Sequence, residues 1–272
     1  MRFGSIFFVG LMGLAMCGPS FAAQSELPVD QWEVGPEAYY FQYKEPSFNV
    51  KTDGIMYGVA GSYTHHNYNH WMIKADGQAA WGGVDYGSTV SGTVNGIDDT
   101  MLEGRVVEGY DIYLQEDVIF TPFFGSGYRY LNDDSSGKIS STGAHGYERE
   151  SNYFYSPVGV EFSSKFEGDW DFGAILEYDL LWIGQQKSHL ENVASGLNTV
   201  SNDQNSGYGF RGSVKFQKKG DQFDLLIEPF VRWWNVKDSQ ESVITYTGAI
   251  VGYAYEPKNE TFEAGGKISL IF

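Results

Sequence analysis

Three histidines, His65, His66 and His70, stand close together in the chain. Imidazole is a good ligand for zinc, copper or nickel. The stretch His65-His66-Asn67-Tyr68-Asn69-His70 reads as a turn, however, and contains neither cysteine nor carboxylate. It is therefore taken as solvent-exposed or interfacial histidine, not as a metal site. The acid pairs Asp98-Asp99 and Asp133-Asp134 offer oxygens to calcium or to cations bridging anionic lipid. They lack the spacing of a calcium loop and are taken as solvated charge. Asp85 follows the third predicted strand, and His145 and His189 fall in long loops. Val84 and Tyr86 flank Asp85, Lys187 precedes His189 by two residues, and His145 has no evident partner. Ser62 and His66 are the nearest approach to a Ser/His pair, and strand parity turns both inward. No catalytic, cofactor-binding or metal set emerges, and the expectation is a protein without enzymatic activity.

The elements that carry these residues alternate with period two, the signature of strands with one oily and one wet face. The last stretch, Thr261 to Phe272, shows it plainly. Phe262, Ala264, Gly266, Ile268, Leu270 and Phe272 share one face, and Thr261, Glu263, Lys267 and Ser269 lie on the other. Earlier strands are predicted near Val34–Lys44, Ile55–Thr64, Trp71–Gly82, Leu102–Leu114, Val118–Leu131, Ser151–Phe162, Trp170–Trp182, Tyr208–Gln217 and Phe223–Trp233. Glu37 is expected to face inward on the first strand, taking Tyr39 and Phe41 with it unless a bulge intervenes. Glu108 falls on the oily side of the fourth strand, which calls for a bulge or a position near an interface. Short turns follow the even strands. Longer segments mostly follow the odd ones: Asn49–Gly54, Gly87–Met101, Asn132–Glu148, Lys187–Ser206 and Asp238–Asn259. In the last of these, Val243–Thr247 and Ile250–Tyr255 can pair as a ribbon, too short to span a bilayer.

The chain of 272 residues fits one domain. Arg2 and the apolar run Ile6–Met16 form an export signal, with small residues Ser20 and Ala22 at a cleavage site. The expected division is a signal peptide over 1–22 and a barrel over 23–272. Cys17, the one cysteine, lies in the signal, and Met16 before it disfavours a lipoprotein. The mature chain is then free of disulfides. A net charge of −17 disfavours nucleic acid as a partner. Mean hydropathy of −0.31 excludes a helical membrane protein but not a barrel, whose apolar residues are dispersed singly.

Export, alternation, unequal connections and a final Phe272 together resemble the small outer-membrane β-barrel proteins of Gram-negative bacteria. The resemblance implies an all-β, antiparallel up-and-down transmembrane barrel of about ten strands, with twelve or eight as alternatives, and termini on the periplasmic side. A soluble exported sandwich is the rival. Implied partners are outer-membrane lipid and lipopolysaccharide, the barrel-assembly machinery through the C-terminal strand, and an extracellular ligand. Ten strands is also the number in omptins, outer-membrane proteases that combine acidic residues with an Asp–His pair in extracellular loops. The surroundings of Asp85, His145 and His189 do not reproduce that pattern.

Parity then fills the lumen with both signs of charge. The expected acids are Glu37, Asp76, Asp111, Glu161, Asp171, Glu177, Asp179, Glu228 and Glu263, and the bases Lys74, Arg105, Arg129, Arg211, Lys215, Arg232 and Lys267. Buried charges need partners, so the expectation is an ion-paired plug and a structural or surface-binding role. The alternative is a narrow channel for small solutes or ions, and behind it an outer-membrane protease or lipid hydrolase. The loop from Asp238 to Asn259, the most apolar, is the expected contact surface.

Overall fold

The computed structural model describes residues 29–166 and 168–272. The expected signal peptide and Cys17 lie outside the described residues. The strands are β1 (Val29–Glu45), β2 (Val50–His66), β3 (Trp71–Ser88), β4 (Gly92–Tyr110), β5 (Ile112–Gln115), β6 (Val118–Asp134), β7 (Glu148–Lys165), β8 (Trp170–His189), β9 (Thr199–Asp203), β10 (Gly207–Lys218), β11 (Asp224–Val236), β12 (Ser242–Tyr246), β13 (Ala249–Ala254) and β14 (Asn259–Ile271). Ten of them, β1, β2, β3, β4, β6, β7, β8, β10, β11 and β14, form a closed antiparallel ring in chain order, and β14 returns to pair with β1. In lipid no water can satisfy a bare strand edge, so closure is obligatory. At the seam Glu37 pairs with Lys267 and Phe41 with Glu263. Trp32 N donates to Phe272 O at 3.1 Å, and Phe272 N to Trp32 O at 2.9 Å.

Side chains follow the pleat. On β1, Glu33, Glu37, Tyr39 and Phe41 are buried, whereas Trp32 and Val34 are exposed on the outside. Pairing with β2 and β14 is free of bulges there, so Glu37, Tyr39 and Phe41 do point inward. Outward apolar residues form a belt between two aromatic rims. Trp32 packs on Tyr63, and Trp71 on Tyr110, at the periplasmic rim; Tyr208 packs on Trp233 at the opposite one. From Trp71 to Trp81 on β3, at about 3.3 Å per residue and a tilt of about 40°, the belt rises about 25 Å. Glu108 stays outward, paired with Ile73 without a bulge. It sits just before the end of β4 at Tyr110, within the periplasmic rim.

The loops depart from the sequence reading. Strand β2 already begins at Val50, so the first turn is Pro46–Asn49, with Asn49 at φ +50°. The polar stretch 87–101 is mostly strand, since β3 runs to Ser88 and β4 resumes at Gly92. Strand β4 ends at Tyr110, and Ile112–Gln115 pairs separately on β6. Strands of 18 to 20 residues exceed the 9–11 that a tilted span requires. The excess stands above the membrane with water on its outer face, where nothing selects for alternation. The segment 242–254 forms a separate two-stranded ribbon, which excludes the twelve-strand count. One bulge matters. Phe154 pairs with Ile183 but Tyr155 with Leu181, so Trp182 is an extra residue in β8. Trp182 and Ile183 are both exposed, and Gln186, not Gln185, is the buried glutamine beyond them.

A methyl group on Gly265 would lie 2.2 Å from Ala38 O and 2.4 Å from Tyr39 Cβ, whereas on Gly266 its nearest neighbour is 3.8 Å away. Gly265→Val is expected to prevent or severely weaken closure, exceeding the usual overpacking cost of about 1–3 kcal/mol. Gly266→Ala is expected to fold normally. Heat-modifiable gel mobility after refolding measures both.

Candidate functional site

The interior is the most elaborate part of the molecule, and it is layered. Near the periplasmic ends of the strands lie Glu33, Lys74, Glu161, Lys215, Glu228 and Lys267. Lys267 Nζ contacts Glu33 Oε1 at 2.5 Å and Glu228 Oε2 at 2.9 Å, and Lys215 Nζ contacts Glu161 Oε1 at 2.6 Å. Asp171 is at the rim itself, 3.1 Å from Lys219 Nζ. Asp111, buried at the same mouth, accepts from Thr121 Oγ1 at 2.7 Å and lies 2.5 Å from His66 Nδ1.

The next layer is built from guanidinium groups. Arg105 grips Asp76 with Nε and Nη2 at 2.8 and 3.2 Å and reaches Glu177 Oε1 at 2.6 Å. Arg211 holds both oxygens of Glu103, at 2.8 and 2.5 Å, and Asp179 Oδ2 at 2.7 Å. Tyr155 donates to Glu103 Oε1 at 2.6 Å, and Gln78 to Glu103 Oε2 at 2.8 Å. Arg129 pairs with Glu263, whose other oxygen lies 3.0 Å from Arg232 Nε. Arg232 also stands 3.6 Å from Glu37. Arg fits this layer because its planar fork binds two carboxylates at once and stacks on rings. Arg129 and Arg211 lie over Trp234, and Arg232 lies 4.1 Å from the centre of Phe230.

Two apolar clusters close the lumen above the ions. One joins Phe41, Tyr43, Met56, Ala80, Val84, Ile97, Met101 and Leu131; the other joins Tyr153, Tyr155, Leu181, Trp234 and Val236. Two inward glycines make room for the rings: a Cβ on Gly127 would lie 2.4 Å from the Tyr155 ring, and one on Gly209 2.9 Å from Trp234. A cavity of about 110 Å³ remains below, lined by Lys74, Asp76, Glu177, Glu228 and Lys267 among others. The barrel is thus filled by paired charges and capped by rings, and its lumen is occluded.

Above the cap, Arg149 at the start of β7 contacts Glu45 at 3.1 Å and Glu256 at 2.5 Å, with Tyr43 donating to Glu256 at 2.9 Å. This clasp ties the last loop to the barrel mouth. Burial raises the Glu256 carboxyl above its ordinary range; Arg149 opposes the shift and Glu45 adds to it.

The structure places every charge assigned to the lumen from parity on the inner face or at its mouth. Parity reasoning omitted Glu33 and Glu103, although Glu103 shares the parity of Arg105, and it overlooked Tyr155 as a polar partner. The three grouped histidines diverge. His65 lies 2.7 Å from Asp30, His66 binds Asp111, and His70, at φ +66°, packs on Tyr113. The carboxylates that meet His65 and His66, Asp30 on β1 and Asp111 between β4 and β5, lie well away in the chain, so proximity in sequence did not reveal them. In the extracellular part, Asp85 accepts from Gly96 N at 2.9 Å, and His189 Nδ1 lies 2.9 Å from Glu191 Oε1.

No protein-family model matches the chain, and no curated protein matches it in sequence. Solved structures do. The outer membrane protease OmpT of Escherichia coli aligns with a TM-score of 0.62 over 93% of this chain and 99% of its own, at 10% identity. The fold is that of an outer-membrane β-barrel, and its apolar belt places the chain in that membrane. The translocator domain of the autotransporter NalP from Neisseria meningitidis aligns at 12% identity over 88% of this chain and 87% of its own, with a TM-score of 0.42. OprG from Pseudomonas aeruginosa aligns at 10% identity over 90% and 97%, with a TM-score of 0.35. The likeness to OmpT is one of fold.

Glu103→Ala leaves Arg211 and the Tyr155 hydroxyl facing an emptied site. Removing one partner of a buried pair costs about 3–5 kcal/mol, so the urea midpoint of the refolded barrel is expected to fall markedly. Lys51→Ala, which removes an exposed ion pair with Asp53, is expected to change stability by less than about 1 kcal/mol.

Proposed function

We propose that this protein is a non-enzymatic surface barrel: a plugged membrane anchor that presents its last extracellular loop to a partner outside the cell. The observation that carries this reading is the β12–β13 ribbon. Ile250, Val251 and Tyr253 are each at least 60% exposed, an apolar group raised clear of the belt. Isolated apolar side chains on a surface are ordinary, but contiguous ones held on a rigid support suit recognition.

The support is a set of bonds to the preceding extracellular loop. Asn198 Oδ1 accepts from Thr245 N at 2.6 Å, Ser242 Oγ donates to Ser201 O at 2.6 Å, and Thr247 N donates to Gly196 O at 2.8 Å. Asn202 Nδ2 donates to Gln240 O and Ala254 O. The Arg149 clasp fixes the base. A partner with a complementary apolar surface meets a ribbon already ordered, so little entropy is lost on binding. The outer belt meets lipid and lipopolysaccharide, and β14 is the strand offered to the barrel-assembly machinery.

The plug argues against the narrow-channel reading. Purified protein in planar bilayers is expected to show no steady conductance; reproducible ohmic steps would overturn the plugged reading. Replacing Ile250, Val251 and Tyr253 with serine is expected to abolish adherence of bacteria displaying the protein. Heat-modifiable mobility should be unchanged, because the ribbon lies outside the ring. Unaltered adherence in a correctly folded variant would defeat the surface-binding reading.

A further inference from the structure

Above the membrane, on the outer face of the barrel wall, stands a cluster that takes no part in the plug. Glu148 and Glu150 are two residues apart on β7 and so share a face. The β7–β8 register pairs Glu150 with Lys187 and Arg149 with Ser188, which puts His189 opposite Glu148. One ligand atom from each of Glu148, Glu150 and His189 lies within 4.8 Å of the others. Among the described residues this is the one such grouping of carboxylate and imidazole ligands.

The imidazole is oriented for donation. Its Nδ1 lies 2.9 Å from Glu191 Oε1, and that carboxylate also accepts from Thr199 Oγ1 at 2.7 Å. A carboxylate accepts only, so the hydrogen-bond pattern assigns the proton to Nδ1 and the lone pair to Nε2. Nε2 is shielded from solvent, has no hydrogen-bond partner, and lies 3.9 Å from Glu150 Oε1. Two ligands about 2.0–2.1 Å from a tetrahedral ion stand about 3.3 Å apart, so the His189–Glu150 pair needs a shift of about half an ångström, and no pair in the group needs more than about 1.5 Å. The carboxylates are also held: Asn132 Nδ2 donates to Glu148 at 2.7 Å, and Tyr130 Oη to Glu150 at 3.3 Å. Lys187 Nζ, 3.3 Å from Glu150 Oε2, is the competing cation.

We propose that Glu148, Glu150 and His189 bind a divalent transition-metal ion of the Zn²⁺ class, with Glu191 as the positioning residue for the imidazole. A nitrogen ligand disfavours Mg²⁺ and Ca²⁺, which take oxygen. Three protein ligands leave one position of a tetrahedral ion to water or another small ligand. The carboxylate behind the imidazole is the arrangement that orients and strengthens metal-bound histidine.

The test is calorimetric titration of Zn²⁺ into the full chain folded in detergent, with heat-modifiable mobility confirming the fold of every variant. One ion per barrel is expected, and millimolar Mg²⁺ and Ca²⁺ should not compete. His189→Ala and Glu150→Gln should each abolish or greatly weaken binding, and Glu191→Gln should weaken it about 10–100-fold. A His65→Ala/His66→Ala/His70→Ala variant should bind as the parent does. X-ray absorption at the zinc edge should show a nitrogen and oxygen shell with one imidazole. Absence of stoichiometric binding, or binding that survives His189→Ala and Glu150→Gln, or loss of binding in the triple-histidine variant, overturns the proposal.

Discussion

A strand edge left bare in hydrocarbon has no solvent to satisfy its N–H and C=O groups, and each such group costs several kcal/mol. Every other feature of this molecule rests on avoiding that cost. Closure of β14 on β1 removes the last edge, down to the reciprocal bonds between Trp32 and Phe272. Closure also fixes what faces inward. A ring of ten strands encloses a space that side chains can fill, unlike the wide channel of a sixteen-stranded porin.

Filling that space with charge is a separate choice. Carboxylates and guanidinium groups lose hydration inside, and their pairing returns that energy only where the geometry is good. The layer around Glu103 meets this condition. Its two oxygens accept from Arg211, Tyr155 and Gln78, and Arg211 is shared with Asp179. Links of this kind run from β3 across the lumen to β10. They brace opposite walls against each other, which backbone pairing between adjacent strands cannot do.

Much of this was legible from parity alone. Alternation in stretches such as Trp170–Leu181 located the spans, and the inward charges followed from counting by twos. Legibility failed where the bilayer stops acting on the sequence. The extensions of β3 and β4 beyond Gly82 and before Leu102 have water outside them, so they resemble loops in composition although their backbones pair as strands. The missed hub, Glu103, is the second residue of the strand predicted from Leu102, at the parity of Arg105 but beside the polar stretch before it, where alternation alone does not tell a lumen charge from a loop charge. Cross-strand groupings were invisible for another reason. Glu148, Glu150 and His189 are neighbours through pairing at the open end of the β7–β8 hairpin, the full length of both strands away from its turn, and no local spacing announces that.

The extra residue at Trp182 has a consequence beyond its own kink. Up to Leu181 the odd-numbered residues of β8 point into the barrel; past the bulge the even-numbered ones do. Without that insertion Lys187 and His189 would turn toward the mouth of the lumen, and Gln186 would turn away from it. A single inserted position therefore sorts the top of β8 between two compartments, sealed interior and cell exterior. A chain of this kind can gain or lose an outward-facing imidazole by a one-codon change in length, with the ring of strands below left as it was.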